Sequence, residues 1–126
     1  MKKLLLASTL LAAMTGTAMA AEIKVGVLLG YTGPIESLPP DMAASAELAF
    51  DEASNSGQLL GGSKIVSIRA DSTCVDSAAA TAAGERLISS HGVVAIMGAD
   101  CSGVTGAVAN NVAIPNGVVM VSPSAT

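Results

Sequence analysis

The chain has 126 residues, 51% of them apolar, with six basic residues against ten acidic ones and a formal charge of −4. That length suits one domain, and the acidic balance makes nucleic acid and acidic membrane surfaces poor partners. One histidine, His91, and two cysteines, Cys74 and Cys101, form no cluster of soft ligands, so neither a metal nor a cofactor is expected.

The first twenty residues read as a cleavable secretory signal. Lys2 and Lys3 give a positive start, Leu4 to Met14 is an almost uninterrupted apolar run, and Ala18-Met19-Ala20 supplies the small residues a signal peptidase requires. The run falls short of the roughly 20 residues that span a bilayer. No cysteine follows it to carry a lipid anchor. Cleavage after Ala20 leaves 106 residues with four basic and ten acidic side chains, a formal charge of −6. An exported chain with two cysteines is expected to pair them.

Ile23 to Leu29 is a short β-branched apolar run and predicts a buried strand. Asp41 to Ser56 predicts a helix, with Met42, Ala46, Ala49, Phe50 and Ala53 on one face. Gly57, Gly61 and Gly62 turn the chain into a second strand, Lys64 to Ala70. Asp76 to Ser90 is the second helix, capped by Asp76, and its small residues Ala80, Ala83 and Gly84 beside Leu87 and Ile88 allow close approach to a sheet. Gly92 to Met97 is a third strand, Ser102 to Val112 a third helix ended by Pro115, and Gly117 to Val121 a fourth strand.

Apolar strands alternating with helices predict an α/β fold, a doubly wound, Rossmann-like parallel sheet covered on both faces. The sequence stops at Thr126 with no helix to cover the fourth strand, so it is expected to be an incomplete, N-terminal portion of a longer protein.

In such sheets ligands sit beyond the carboxyl ends of the strands. The segments there are residues 30–38, 71–74, 98–103 and 122–126, rich in Gly, Ser and Thr. Ser102, at the start of the third helix, reads equally as an ordinary N-cap and as a ligand for an anion. Two enzymatic readings fail. Gly26, Gly30 and Gly33 do not match the Gly-x-Gly-x-x-Gly spacing of a dinucleotide site. A hydrolase using Cys101 or Ser102 would need a base, and His91 precedes the third strand, at the opposite end of the sheet. Cys74 and Cys101 follow neighbouring strand ends, and closing the loop between them would restrict the unfolded chain by about 3.5 kcal/mol.

The stretches IKVGVLLGYTGPIE, ASNSG with LLGG, DSTC, GADCSG and VSPSAT, in that order, resemble the N-terminal lobe of branched-chain amino-acid-binding proteins, the periplasmic receptors of ABC importers. The resemblance runs from Ala21 to Thr126. It implies a non-enzymatic, monomeric, two-lobed type I binding protein that closes on an amino acid and delivers it to an inner-membrane permease. It also implies that the Ser102 hydroxyl binds the ligand carboxylate with help from Thr126, that the Ser124 backbone receives the ammonium, and that Cys74 and Cys101 are the family's disulfide pair. Leu38 stands where some relatives have an aromatic residue over the ligand side chain, and Tyr31 is an alternative aromatic wall or a packing residue. Ser124 stands where some relatives have alanine. A sensor or receptor domain of the same fold is the rival reading, to be decided by a downstream transmembrane helix and signalling domain.

Overall fold

The computed structural model describes residues 20–126, so the expected signal peptide, Ala20 apart, lies outside the described residues. Four parallel strands form one sheet in the order β2-β1-β3-β4: β1 (Glu22–Leu29), β2 (Lys64–Asp71), β3 (Ala95–Gly98) and β4 (Val119–Val121). Helix α1 (Pro39–Asn55) follows β1, α2 (Ser77–Ser89) follows β2, and α3 (Ser102–Val108) follows β3.

The apolar strands are buried because helices lie on both faces. On one face Leu28 and Ile96 pack with Ala80, Ala83 and Leu87 of α2 and with Val104 and Val108 of α3. On the other, Val27, Leu29 and Ala43 form a smaller cluster with Met42, Phe50 and Met97 against it. Burying each such Leu or Val stabilises the fold by about 1.5–3 kcal/mol. Beyond Phe50 this second face is open, and Val119 and Val121 of β4 are 65% and 63% exposed. The fourth strand is therefore uncovered on that side among the described residues.

Several element boundaries differ from the sequence expectation for physical reasons. Helix α1 starts at Pro39 because first-turn amides have no intrahelical partner, which Pro39 and Pro40 lack at no cost. Its inward stripe runs through Pro39, Ala43 and Ser54, with Phe50 half-buried, whereas Ala49 faces solvent. Gly92, at φ 68°, and Val93, whose amide donates to the Leu87 carbonyl, close α2, so β3 begins at Ala95 and not at Gly92. Asp76 caps α2 as expected, accepting from the amides of Ala78 and Ala79 at 2.9 and 3.0 Å. Close approach at Gly84 is to α3 and not to the sheet, since a Cβ there would lie 3.0 Å from Val108 Cγ1. The third helix widens to a π-helical turn over Ala109–Ala113, where the Ile114 amide reaches back to Ala109. Pro115, which has no amide N–H to continue the ladder, follows this turn.

Candidate functional site

The strand order reverses between β1 and β3, and the loops at their carboxyl ends meet there. The Gly30 amide, just after β1, donates to Asp100 Oδ2 at 2.8 Å, and the Ser72 hydroxyl, just after β2, donates to Asp100 Oδ1 at 3.3 Å. Cys74 and Cys101 are joined as a disulfide, with their Cα atoms 5.2 Å apart, so the loops after β2 and β3 are linked covalently, although these strands are not neighbours and β1 lies between them.

The loop after β4 is tied to the same place by hydroxyls. Ser122 Oγ donates to the Ala99 carbonyl and accepts the Ala125 amide at 2.8 Å. Ser124 Oγ donates to the Asp100 carbonyl at 2.7 Å, and the Thr126 amide donates to Ser102 Oγ at 3.0 Å. Thr105 Oγ1 sits within hydrogen-bond distance of the carbonyls of Ala99 and Cys101. Between α3 and this loop lies a cleft of about 390 Å³, walled by Ser102, Thr105, Ser122, Ala125 and Thr126 with Met120 and Ala109 at its apolar side.

Ser102 is not a cap. Cys101 holds the N-cap position of α3 and makes no side-chain cap bond, while Ser102 is the first helical residue and its oxygen accepts from Thr126. A hydroxyl has two acceptor positions and one donor. With Thr126 donating to it, the Ser102 proton remains available to an acceptor in the cleft.

Of the five ligand residues expected from sequence, Ser102 and Thr126 meet at the cleft, and Ser124 lies on the same loop with its hydroxyl turned toward Asp100. Leu38 precedes α1 and is 56% exposed, outside the cleft walls. Tyr31 packs on the α1 side of the sheet against the Val27, Leu29 and Ala43 cluster, with the Arg69 guanidinium 5.9 Å from its ring centroid. Burial pushes the phenol above its ordinary pKa, Arg69 opposing, and the hydroxyl finds no hydrogen-bond partner among the described residues. Arg69 is held in turn by a two-point contact with Glu47 of α1, at 2.8 and 2.6 Å.

Three participants were not singled out by sequence: Asp100, Ser122 and Thr105. The Ser- and Thr-rich composition of the strand-end loops was the available signal for the hydroxyls. An aspartate between a strand and a helix reads as a solvated loop residue, and nothing local announces its burial. His91 lies beyond the end of α2 and lines a small polar pocket with Arg69 and Arg86 at the β2 edge, sharing no wall with the Ser102 cleft.

The sequence pattern of the periplasmic binding protein family matches residues 22–126. The chain belongs to the periplasmic binding protein family. It is 38% identical over 104 residues to Leu/Ile/Val-binding protein homolog 7 of Brucella melitensis, covering 82% of this chain and 25% of that protein. It is 32% identical over 122 residues to Leu/Ile/Val-binding protein BraC3 of Rhizobium johnstonii, covering 96% of this chain and 32% of that one. Among solved structures it superposes on the branched-chain amino acid transporter substrate binding protein LivJ of Streptococcus pneumoniae, in complex with isoleucine, with a TM-score of 0.74 and 30% identity over 83% of this chain and 29% of that one. The leucine binding protein LivK of Thermotoga maritima gives a TM-score of 0.71 at 28% identity, covering 82% of this chain and 28% of that one. The chain thus spans a quarter to a third of the length of the relatives it matches, and it corresponds to the N-terminal part of the type I binding-protein fold.

Proposed function

We propose that this periplasmic binding protein is the solute-binding component of an ABC importer and carries a zwitterionic amino acid of the branched-chain class. The observation that carries the reading is the junction of Ser102 and Thr126 at the mouth of the cleft, where two hydroxyls converge. In the proposed complex the ligand carboxylate accepts from Ser102 Oγ and from the Thr126 hydroxyl, and the main-chain carbonyl of Ser124 takes the ammonium. Hydrogen bonds to a charged group are worth roughly twice a neutral pair, so these few contacts orient the ligand.

The working cycle is hinge closure of two lobes, in which ligand stabilises the closed form by its differential contacts. Most of the residues that select the ligand side chain belong to the second lobe. Delivery is to an inner-membrane permease, from a periplasmic monomer whose signal peptide has been removed after Ala20, and the ligand leaves chemically unchanged. His91 and Ser102 line different pockets. Isothermal titration of the protein, as its host makes it, with leucine, isoleucine and valine tests the reading. A one-to-one isotherm with at least one of them is expected, and silence with all amino acids would refute it.

A further inference from the structure

We infer that Asp100 is the positioning residue of the amino-acid cleft, holding Ser102, Ser124 and Thr126 in register through a buried carboxylate and its own carbonyl. The inference rests on the proposed function for what the cleft binds, but its geometry stands on contacts already described.

Asp100 is only 6% exposed, and a buried carboxylate is costly unless hydrogen-bond donors surround it. It finds them on two other strand ends: the Gly30 amide after β1 at 2.8 Å and the hydroxyl of Ser72, fully buried after β2, at 3.3 Å. Its main-chain carbonyl accepts the Ser124 hydroxyl at 2.7 Å, which brings in the loop after β4. One residue on the β3 loop is therefore bonded to the ends of the other three strands. Gly30 approaches so closely that a Cβ there would stand 3.4 Å from Asp100 Oδ2 and 3.2 Å from Cys74 Cβ.

The consequence for binding follows from sequence spacing. Asp100 lies two residues before Ser102, and the loop it holds through Ser124 continues two residues to Thr126. The Ser102–Thr126 bond is thus the far side of a ring whose near side is Asp100–Ser124. The Cys74–Cys101 bridge fixes the neighbouring residue to the β2 loop and lies against Gly30, but makes no link to the loop after β4. Among the described residues, Asp100 is hydrogen-bonded to both the β1 and the β4 loops. Its carboxylate is not placed to touch the ligand here; it acts by holding the groups that do, and such preorganisation is where site affinity is gained or lost.

The test has two readouts. In the ligand-free protein, hydrogen exchange at the Thr126 amide reports the ring directly, and calorimetric titration with isoleucine reports the site. Asp100→Ala should speed Thr126 exchange and weaken isoleucine binding, each by roughly tenfold or more. Asp100→Asn should recover most of both, because its amide oxygen accepts from Gly30 while its NH2 donates to the Ser72 oxygen, a hydroxyl that serves in either sense. Ser72→Ala, which removes a single donor and keeps the carboxylate, should move both readouts in the same direction by less, and it substitutes for Asp100→Ala if that variant does not fold. Unchanged Thr126 exchange in Asp100→Ala or Ser72→Ala would overturn the inference. If isoleucine and every other amino acid fail to bind the wild type while Thr126 exchange still answers to Asp100, the ligand reading falls and the positioning role stands.

Discussion

The main-chain amide of Thr126 donates to the Ser102 hydroxyl across 3.0 Å, joining the loop after β4 to the first turn of α3. A serine oxygen that already accepts one bond offers its proton outward, and in the proposed complex that proton goes to the ligand carboxylate. Ser102→Ala deletes both interactions at an exposed position, so the fold should survive. Loss of one hydrogen bond to a charged group costs about 1.5–3 kcal/mol, or roughly tenfold to a hundredfold in affinity. Titration with isoleucine at matched concentrations checks this, and unchanged affinity would remove Ser102 from the site.

The disulfide links residues 27 apart in sequence, and closing a loop of that length restricts the unfolded chain by about 3–4 kcal/mol. Replacing both Cys74 and Cys101 by serine should lower the urea midpoint by a corresponding amount. Non-reducing mass analysis should find no free thiol in the exported protein, whereas two free thiols would contradict the pairing.

Two carboxylates make stability depend on acid pH. The Arg69 guanidinium holds the Glu47 carboxyl below its ordinary range, against the upward push of burial and with help from Ser67. Burial pushes Asp71 upward, but the Thr32 hydroxyl and the amides of Thr73, Thr32 and Tyr31 together outweigh it and hold that carboxyl low as well. A carboxyl with a lowered folded pKa contributes fully above its unfolded value, about 4, and the contribution disappears as pH falls through the folded value. Urea midpoints should therefore be insensitive to these groups between neutral pH and about 5, then decline below about 4. Arg69 is half exposed, so the Glu47 pair contributes less than about 1 kcal/mol. Glu47→Gln should flatten the acid limb slightly, and a limb identical to wild type would show that the pair carries no pH-dependent stability.

Glycines at the site differ in what they tolerate. Gly98, at the end of β3, has φ 138°, and a Cβ there would run into the Leu28 carbonyl oxygen of the neighbouring strand. Gly103, one residue into α3, meets nothing within 4 Å. Gly98→Ala should destabilise the protein by about 3 kcal/mol or more, and Gly103→Ala should be neutral or stabilising by up to about 1 kcal/mol. Thermal midpoints of the two variants check the contrast, and similar shifts in the same direction would contradict it.

The strands and helices were legible because burial on both faces leaves continuous apolar runs, as in residues 23–29, and because Asp76 sits where a cap belongs. The phase of α1 was not, since Ala43 and Ala49 are chemically alike and only packing against Val27 and Leu29 decides which turns inward. In the site, Ser102 and Thr126 could be named from motif, but their bond spans 24 positions and depends on strand order. Asp100 was invisible for the same reason, because its partners Gly30 and Ser72 lie 70 and 28 residues away. Tyr31 looked equally suited to a ligand wall and to packing. Its place under Arg69 is set by the Glu47 contact, which joins α1 to β2.

In the proposed complex this chain supplies the carboxylate- and ammonium-binding half of an amino-acid carrier. Isothermal titration of the host-made protein with leucine, isoleucine and valine, each compared with its α-carboxamide, tests it most directly. One-to-one binding of at least one free amino acid is expected, with a loss of at least roughly tenfold in affinity for its carboxamide, because the Ser102 and Thr126 donors lose their charged acceptor. Equal affinity for the acid and the amide, or binding of neither, would contradict it.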